Sequence, residues 1–405
     1  MKLKIKAKLS LDRYLEYSSV LMVFMQGFVI MDLSIIDIKL FYFFLITNSL
    51  ILILNNRIKL HVYLLALIAF FFIHGLITYT LYDTPYIYLI KQIFGISAVA
   101  VYYYNVFRLF NHKILLNIYL NLTIVFCIIA LVFYPFGILD KEEFRMDGLM
   151  SEPSKFVIVN LPALFYFLKK NKYGHSLVLL LGLVFAQSSV GYIGVLLIMS
   201  ILFLRKNTIK YLGFTVIPIV IFVYFLSKNE LFQDRYVSTV ENLRVLETGE
   251  FSHDTNLSTF ALLKNAHITK NNFLDHPFGT GLGSFVHWHD KYIQDLKLPP
   301  YIHIIEFQDI NSEDANSMLL RMTSDLGLFG LLIFLGFILL GIIAFFTNYD
   351  IEKKTIFFGM YIYFTLKFMR MGHYFNEEMY FFLYLLIFSA PKVRELISKR
   401  VNIDE

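Results

Sequence analysis

Four polar stretches of this chain carry side chains suited to handling anions and protons, and each abuts a long apolar run. The first, Phe144 to Ser154 (FRMDGLMSEPS), sets Arg145, Asp147 and Glu152 just before an apolar run that starts after Pro153. An arginine there suits an anionic ligand, and a carboxylate suits proton transfer or positioning. The plainer reading makes Ser151 or Glu152 a helix cap and Arg145 a solvated partner. The second is the turn Gln187-Ser188-Ser189-Val190-Gly191-Tyr192, whose small residues ease a helix hairpin and leave room for a ligand. The third runs from Asp275-His276-Pro277 through Gly279-Thr280-Gly281-Leu282-Gly283 to Glu313-Asp314-Ala315-Asn316-Ser317 and on to Arg321 and Asp325. The i, i+4 spacing puts Arg321 and Asp325 on one helical face, as a structural ion pair or with Arg321 as a phosphate ligand. The fourth, Lys367 to Tyr374 (KFMRMGHY), holds Arg370 and His373 at the end of another apolar run. Arg370 either snorkels to the interface or binds an anion, and His373 titrates near neutrality.

Three other chemistries find little support. GTGLG has the glycines of a dinucleotide loop without a surrounding strand-helix-strand unit. His287-Trp288-His289-Asp290 looks like a ligand cluster, yet His at i and i+2 face the same way only on a strand and no second ligand pair is present. No metal is therefore expected, and no cofactor. No serine sits in a nucleophile elbow.

The elements that must position these residues are membrane spans. Hydrophobic residues make up 57% of the 405, mean hydropathy is +0.61, and charged residues are only 17%, which excludes an ordinary soluble enzyme. The net charge of +5 does not indicate nucleic acid, because the basic residues fall in short clusters between apolar runs. Runs long enough, or nearly so, for a spanning helix lie at Tyr17 to Met31, Ile38 to Leu54, His61 to Leu81, Tyr86 to Phe107, Ile114 to Leu139, Ser154 to Leu168, Ser176 to Ser188, Tyr192 to Leu204, Tyr211 to Ser227, Met318 to Phe346, Thr355 to Met369 and Met379 to Ala390. The expectation is an all-α polytopic membrane protein of about 12 helices. Segments assigned to the inner side hold about 21 Lys and Arg, against about 4 in the short outer segments. Both termini are therefore expected inside, with the first helix retained rather than cleaved. The lone Cys127, within an apolar run, is expected to pack in the core.

Three domains follow: residues 1–227 as an N-terminal bundle of about nine helices, 228–315 as an outer loop domain between helices 9 and 10, and 316–405 as about three closing helices. The loop carries about 13 acidic and 7 basic residues, with Trp288 among its aromatics, and reads as ordered rather than as a linker. No internal duplication marks a repeat-built transporter.

Taken together, RMDGLMSEPS, QSSVGYIG, HPFGTGLGSF and NSMLLRMTSDLGLFGLLIFL, in that order and on one side of the membrane, resemble the O-antigen polymerase family within the O-antigen polymerase and ligase superfamily of membrane glycosyltransferases. The resemblance implies a GT-C-like fold in the bacterial inner membrane. It implies transfer of a glycan from undecaprenyl diphosphate to a second lipid-linked repeat unit, with a chain-length regulator protein as a further partner. Glu152, His373 and Asp314 are then the base candidates, in that order, and Arg145, Arg321, Arg370, Asn316 and Ser317 the diphosphate and substrate contacts. Ligases tend to carry His before the Asn at the entry to the helix after the long loop. Ala315-Asn316 departs from that and favours polymerase, and Val190 stands where an Arg is often found in the family. A ligase, a lipid-linked oligosaccharide flippase and a membrane scaffold remain the alternatives.

Overall fold

A computed structural model of the protein describes residues 2–25, 27–33, 36–137, 145–203, 224 and 230–391. In order these form α1 (Lys2–Leu21), β1 (Val29–Leu33), β2 (Ile36–Lys39), α2 (Leu40–Leu54), α3 (Val62–Leu81), α4 (Ile87–Leu109), α5 (His112–Phe133), α6 (Pro153–Lys169), α7 (Tyr173–Ala186) and α8 (Ser189–Phe203). Then come α9 (Glu230–Asn242), α10 (Val245–Thr248), α11 (Leu257–Asp275), α12 (Phe285–Tyr292), α13 (Pro300–Ile304), α14 (Met318–Leu326), α15 (Leu328–Phe346), α16 (Ile351–Met369) and α17 (Met379–Ser389). Apolar runs become helices because a backbone in hydrocarbon must satisfy its own hydrogen bonds. Among the described residues four helices are long and apolar enough to cross a membrane, α3, α4, α5 extended to Phe136, and α15. Four shorter apolar helices, α2, α7, α8 and α17, accompany them. Bulky apolar side chains project outward from several of these helices, as Leu54, Tyr63 and Phe94 do, which fits a polytopic membrane protein. The expected run at Tyr211 to Ser227 lies almost wholly outside the described residues.

Two runs are not single helices. Tyr17 to Met31 is divided: α1 ends at Leu21 after a far earlier start, and the chain then enters the antiparallel β1–β2 hairpin. The cause is a crossing, because Gly27 donates its N–H to the Leu149 carbonyl and a Cβ on Gly27 would strike the backbone of Leu149 and Met150. Met318 to Phe346 is divided at Gly327, whose φ of +59° and ψ of −131° favour glycine strongly. The turn Pro277 to Gly283 wedges in there, with Leu328 N–H bound to the Pro277 carbonyl and Gly281 N–H to the Asp325 carbonyl. The glycines of GTGLG thus serve a tight backbone approach.

The segment 230–317 is a compact helical insertion with its own small core of Val245, Ile268, Phe285, Trp288, Tyr292, Leu296 and Ala315. Leu320 of α14 packs against it, so the insertion is seated on the bundle. Inside the bundle α16 lies between α6 and α17 and also touches α8. Cys127 is buried in this core against Gly182. Four segments assigned to the inner side, 1–13, 55–59, 108–113 and 349–354, carry contacts between them: Arg57 pairs with Asp12, Arg108 donates to the Arg57 carbonyl, and Lys113 lies 2.8 Å from Glu352.

Candidate active site

The start of α6 builds the first wall of a cavity. Pro153 occupies the first turn, as its fixed φ favours, and Glu152 takes the extended N-cap position. The Glu152 carboxylate makes no capping bond, and so the capping role expected for it is not filled. It lies 3.8 Å from Lys155 Nζ, which also donates to Ser151 Oγ at 2.8 Å. The stretch before it is anchored by Met146 N–H to the Phe185 carbonyl, so Arg145 is delivered to the end of α7.

The second wall is the α7–α8 turn. Gln187 makes it in the left-handed region at φ +46°, while Gly191 serves packing rather than the turn: a Cβ there would meet Val157 of α6 at 2.9 Å.

Two chain segments clasped together form the third wall. Met371 N–H bonds to the Asn316 carbonyl at 3.1 Å, and Gly372 N–H reaches Asp314 Oδ2 at 3.3 Å. A Cβ on Gly372 would run into the Asp314 carbonyl oxygen, so only glycine fits. Ala315, Asn316 and Met371 all hold positive φ, a strained cluster of the sort found at functional sites. Asp314 Oδ1 accepts from Asn316 N–H at 2.9 Å, and Oδ2 faces His373 Nε2 at 3.5 Å. Loss of hydration at the partly buried imidazole lowers the His373 pKa; Asp314 pulls it back up, while Arg321, Lys367 and Lys155 push it further down.

Together these walls enclose about 510 Å³, lined by Arg145, Glu152, Lys155, Asp314, Asn316, Arg370 and His373 among others. The first residues of α6, α8 and α11 also line it: Pro153 and Ser154, Ser189 and Val190, Leu257 and Ser258. Three helix N-termini therefore point their partial positive charge toward one space, beside three cationic side chains. That arrangement suits an anion with several oxygens, with a carboxylate and a His–Asp pair beside it for proton transfer.

Of the residues singled out in sequence, Arg145, Glu152, Asp314, Asn316, Arg370 and His373 meet here. Arg321 and Ser317 do not line the cavity. Arg321 is buried behind the clasp, donating Nη1 to the Gly372 carbonyl at 3.1 Å, lying 3.7 Å from Asp325 and stacking over Tyr374. Asp325 is in turn held by the N–H groups of Gly283 and Phe285 and by Tyr374 Oη. Ser317 caps α14 through Leu320 N–H and donates to the Phe368 carbonyl. Lys155 escaped notice, although a lysine in the first turn of a helix opposes the macrodipole and signals a partner.

His287 and His289 stand on α12 rather than on a strand. His289, Asp290 and Asp309 bring one ligand atom each within 4.8 Å, but both carboxylates are exposed, as is common without a bound ion.

Residues 175–335 match the family model described as O-Antigen ligase. This supports the O-antigen polymerase and ligase superfamily, and with it glycosyltransferase-like involvement in O-antigen glycan transfer. The matched segment spans the α7–α8 turn, the insertion and α14, and thus includes Ser188, Asp314, Asn316 and Arg321. The superfamily match stops short of Arg145, Glu152, Arg370 and His373, which the fold brings to the same cavity. No curated protein matches this chain.

Proposed function

We propose that this protein is a membrane glycosyltransferase that joins undecaprenyl-diphosphate-linked repeat units into polysaccharide. The observation that carries the reading is the cavity itself, where Arg145, Lys155, Arg370 and three helix N-termini face Glu152 and the His373–Asp314 pair. A diphosphate leaving group carries two negative charges that grow as its bond to sugar C1 breaks, and fixed positive charge stabilises that change. An acceptor hydroxyl oxygen attacks C1, and undecaprenyl diphosphate departs with the electrons of the C1–O bond. The hydroxyl proton passes to a base in the cavity. Neutral His373, oriented by Asp314, and the Glu152 carboxylate are the groups placed for it. In this scheme Arg321 and Ser317 act behind the wall, fixing Gly372 and the start of α14 rather than touching the donor.

The Ala315-Asn316 dipeptide favours the polymerase. One observation favours a second reading: His373 lines the same cavity as Asn316 and supplies from α16's end the imidazole that a ligase tends to carry before that Asn. A transfer onto lipid A-core is the activity under that reading. The test is the polysaccharide ladder of cells lacking the gene, against cells restored with the intact gene or with Arg370→Ala. A single repeat unit on the lipid core is the expected result. Bare core with polymer retained on undecaprenyl diphosphate would make it the ligase, and an unchanged ladder would overturn both.

A further inference from the structure

The three cations of the cavity wall, Arg145, Lys155 and Arg370, all lie outside the insertion. The insertion lends the wall Leu257, Ser258 and Ala261 of α11, with Ile310, Asn311 and Asn316 from the stretch before α14, and none of these is charged. Hydroxyl and carboxamide groups beside aliphatic side chains suit a sugar ring, whose hydroxyls exchange hydrogen bonds with the former and whose C–H face packs on the latter. Asn316 is nine-tenths buried, and its Nδ2 has no hydrogen-bond partner among the described residues. A buried donor of this kind calls for a partner, and a ligand in the cavity would supply one.

The uncharged side of the cavity is held by a clamp of its own. Leu257, Ser258 and Ala261 share one face of α11, and Lys264 and Asn265 continue that face by one turn. Lys264 is fully buried and donates from Nζ to the carbonyls of Gln308 at 2.7 Å and Ile310 at 2.8 Å. Asn265, also fully buried, donates Nδ2 to the Asn311 carbonyl at 3.4 Å, where Asn311 holds a left-handed φ of +57°. Burying an ammonium is costly, and the carbonyl bonds that offset the cost fall on the stretch that brings Ile310 and Asn311 to the cavity. The helix that lines the cavity with its first turns thus grips the adjoining wall with its next one.

We propose that the insertion's side of the cavity is the subsite for the acceptor, an uncharged sugar ring at the end of a glycan, with Asn311 and Asn316 as specificity-determining contacts and Lys264 as the positioning residue that holds Ile310 and Asn311 in place. The diphosphate of the donor lies against the cations on the other side. The assignment rests on the glycosyltransferase reading above and adds to it which wall takes which substrate.

The experiment measures equilibrium binding of two probes to the full-length protein in detergent. One is undecaprenyl diphosphate, which carries no sugar, and the other is the repeat-unit oligosaccharide released from its carrier by mild acid, which carries no phosphate. Asn311→Ala should weaken the oligosaccharide about tenfold and leave undecaprenyl diphosphate unchanged. Lys264→Met should act in the same selective way, because it frees the wall without touching the cations, and Asn311→Ala covers the case in which Lys264→Met fails to fold. Arg370→Ala should show the reverse selectivity. Oligosaccharide binding that is absent from the intact protein, that Asn311→Ala does not weaken, or that falls only in step with undecaprenyl diphosphate overturns the subsite. A folded Lys264→Met that binds the oligosaccharide normally overturns the role of Lys264 alone. Undecaprenyl diphosphate bound by the intact protein and lost in Arg370→Ala leaves the transferase reading standing in each of these cases, whereas an intact protein that does not bind it brings both conclusions down.

Discussion

The two ends of the helix bundle use charge in opposite ways. At one end Asp12, Arg57, Arg108, Lys113 and Glu352 close on each other in short pairs between neighbouring helices. At the other, Arg145, Lys155 and Arg370 stand around a cavity of about 510 Å³ together with Glu152 and the His373–Asp314 pair. The first end satisfies its charges within the protein, by two side-chain ion pairs and one backbone carbonyl. The second gathers its charges, with three helix ends, around a space where a ligand fits. Similar residue types thus serve cohesion at one end and chemistry at the other, and the difference lies in what surrounds them.

The sharpest way to break that contrast is at the proton-transfer pair. His373→Ala is expected to lower transfer about 10²- to 10⁴-fold with protein abundance unchanged, measured on the lipid-linked donor. Arg321→Met comes next and acts differently. It strands Asp325 in the core, an effect of about 3–5 kcal/mol on stability, read as a large drop in thermal midpoint and in membrane abundance. Arg370→Ala should reduce transfer roughly 10- to 100-fold without that loss of stability. Acidification sharpens the contrast further. Loss of hydration lowers the His373 pKa, so the imidazole stays neutral below the ordinary histidine range, and transfer should persist into mildly acidic pH. The same shift makes the unfolded chain bind a proton first as pH falls, so the folded state loses stability from the ordinary histidine pKa down to the folded one. The smallest effect is expected at the closed end, where Lys113→Ala should leave transfer unchanged because that pair is solvent-exposed.

Much of the helical layout was legible from apolar runs alone: α2 to α4, α6 to α8, α16 and α17 begin and end within a few residues of their runs. What local pattern could not show was the crossing at Gly27 and the break at Gly327, because both are caused by chain segments distant in sequence. The site was legible to a similar degree. Arg145, Glu152, Arg370 and His373 stand out as polar groups beside hydrocarbon-length runs. Arg321 looks the same in sequence yet turns inward to Gly372, since hydrophobicity does not reveal which neighbour a buried arginine will find.

The clasp between Asp314 and Gly372 bears on modularity. The insertion resembles a detachable cap, with its own small core, yet it supplies only one of the two segments clasped in the cavity's third wall, and the other arrives with the turn between α16 and α17. A chimera that exchanged residues 230–317 alone would set a foreign turn against the native Met371-Gly372 and misplace His373. Specificity in this architecture is inherited as a matched pair of segments some 55 residues apart, and an exchange that respects both is the one that should transplant it.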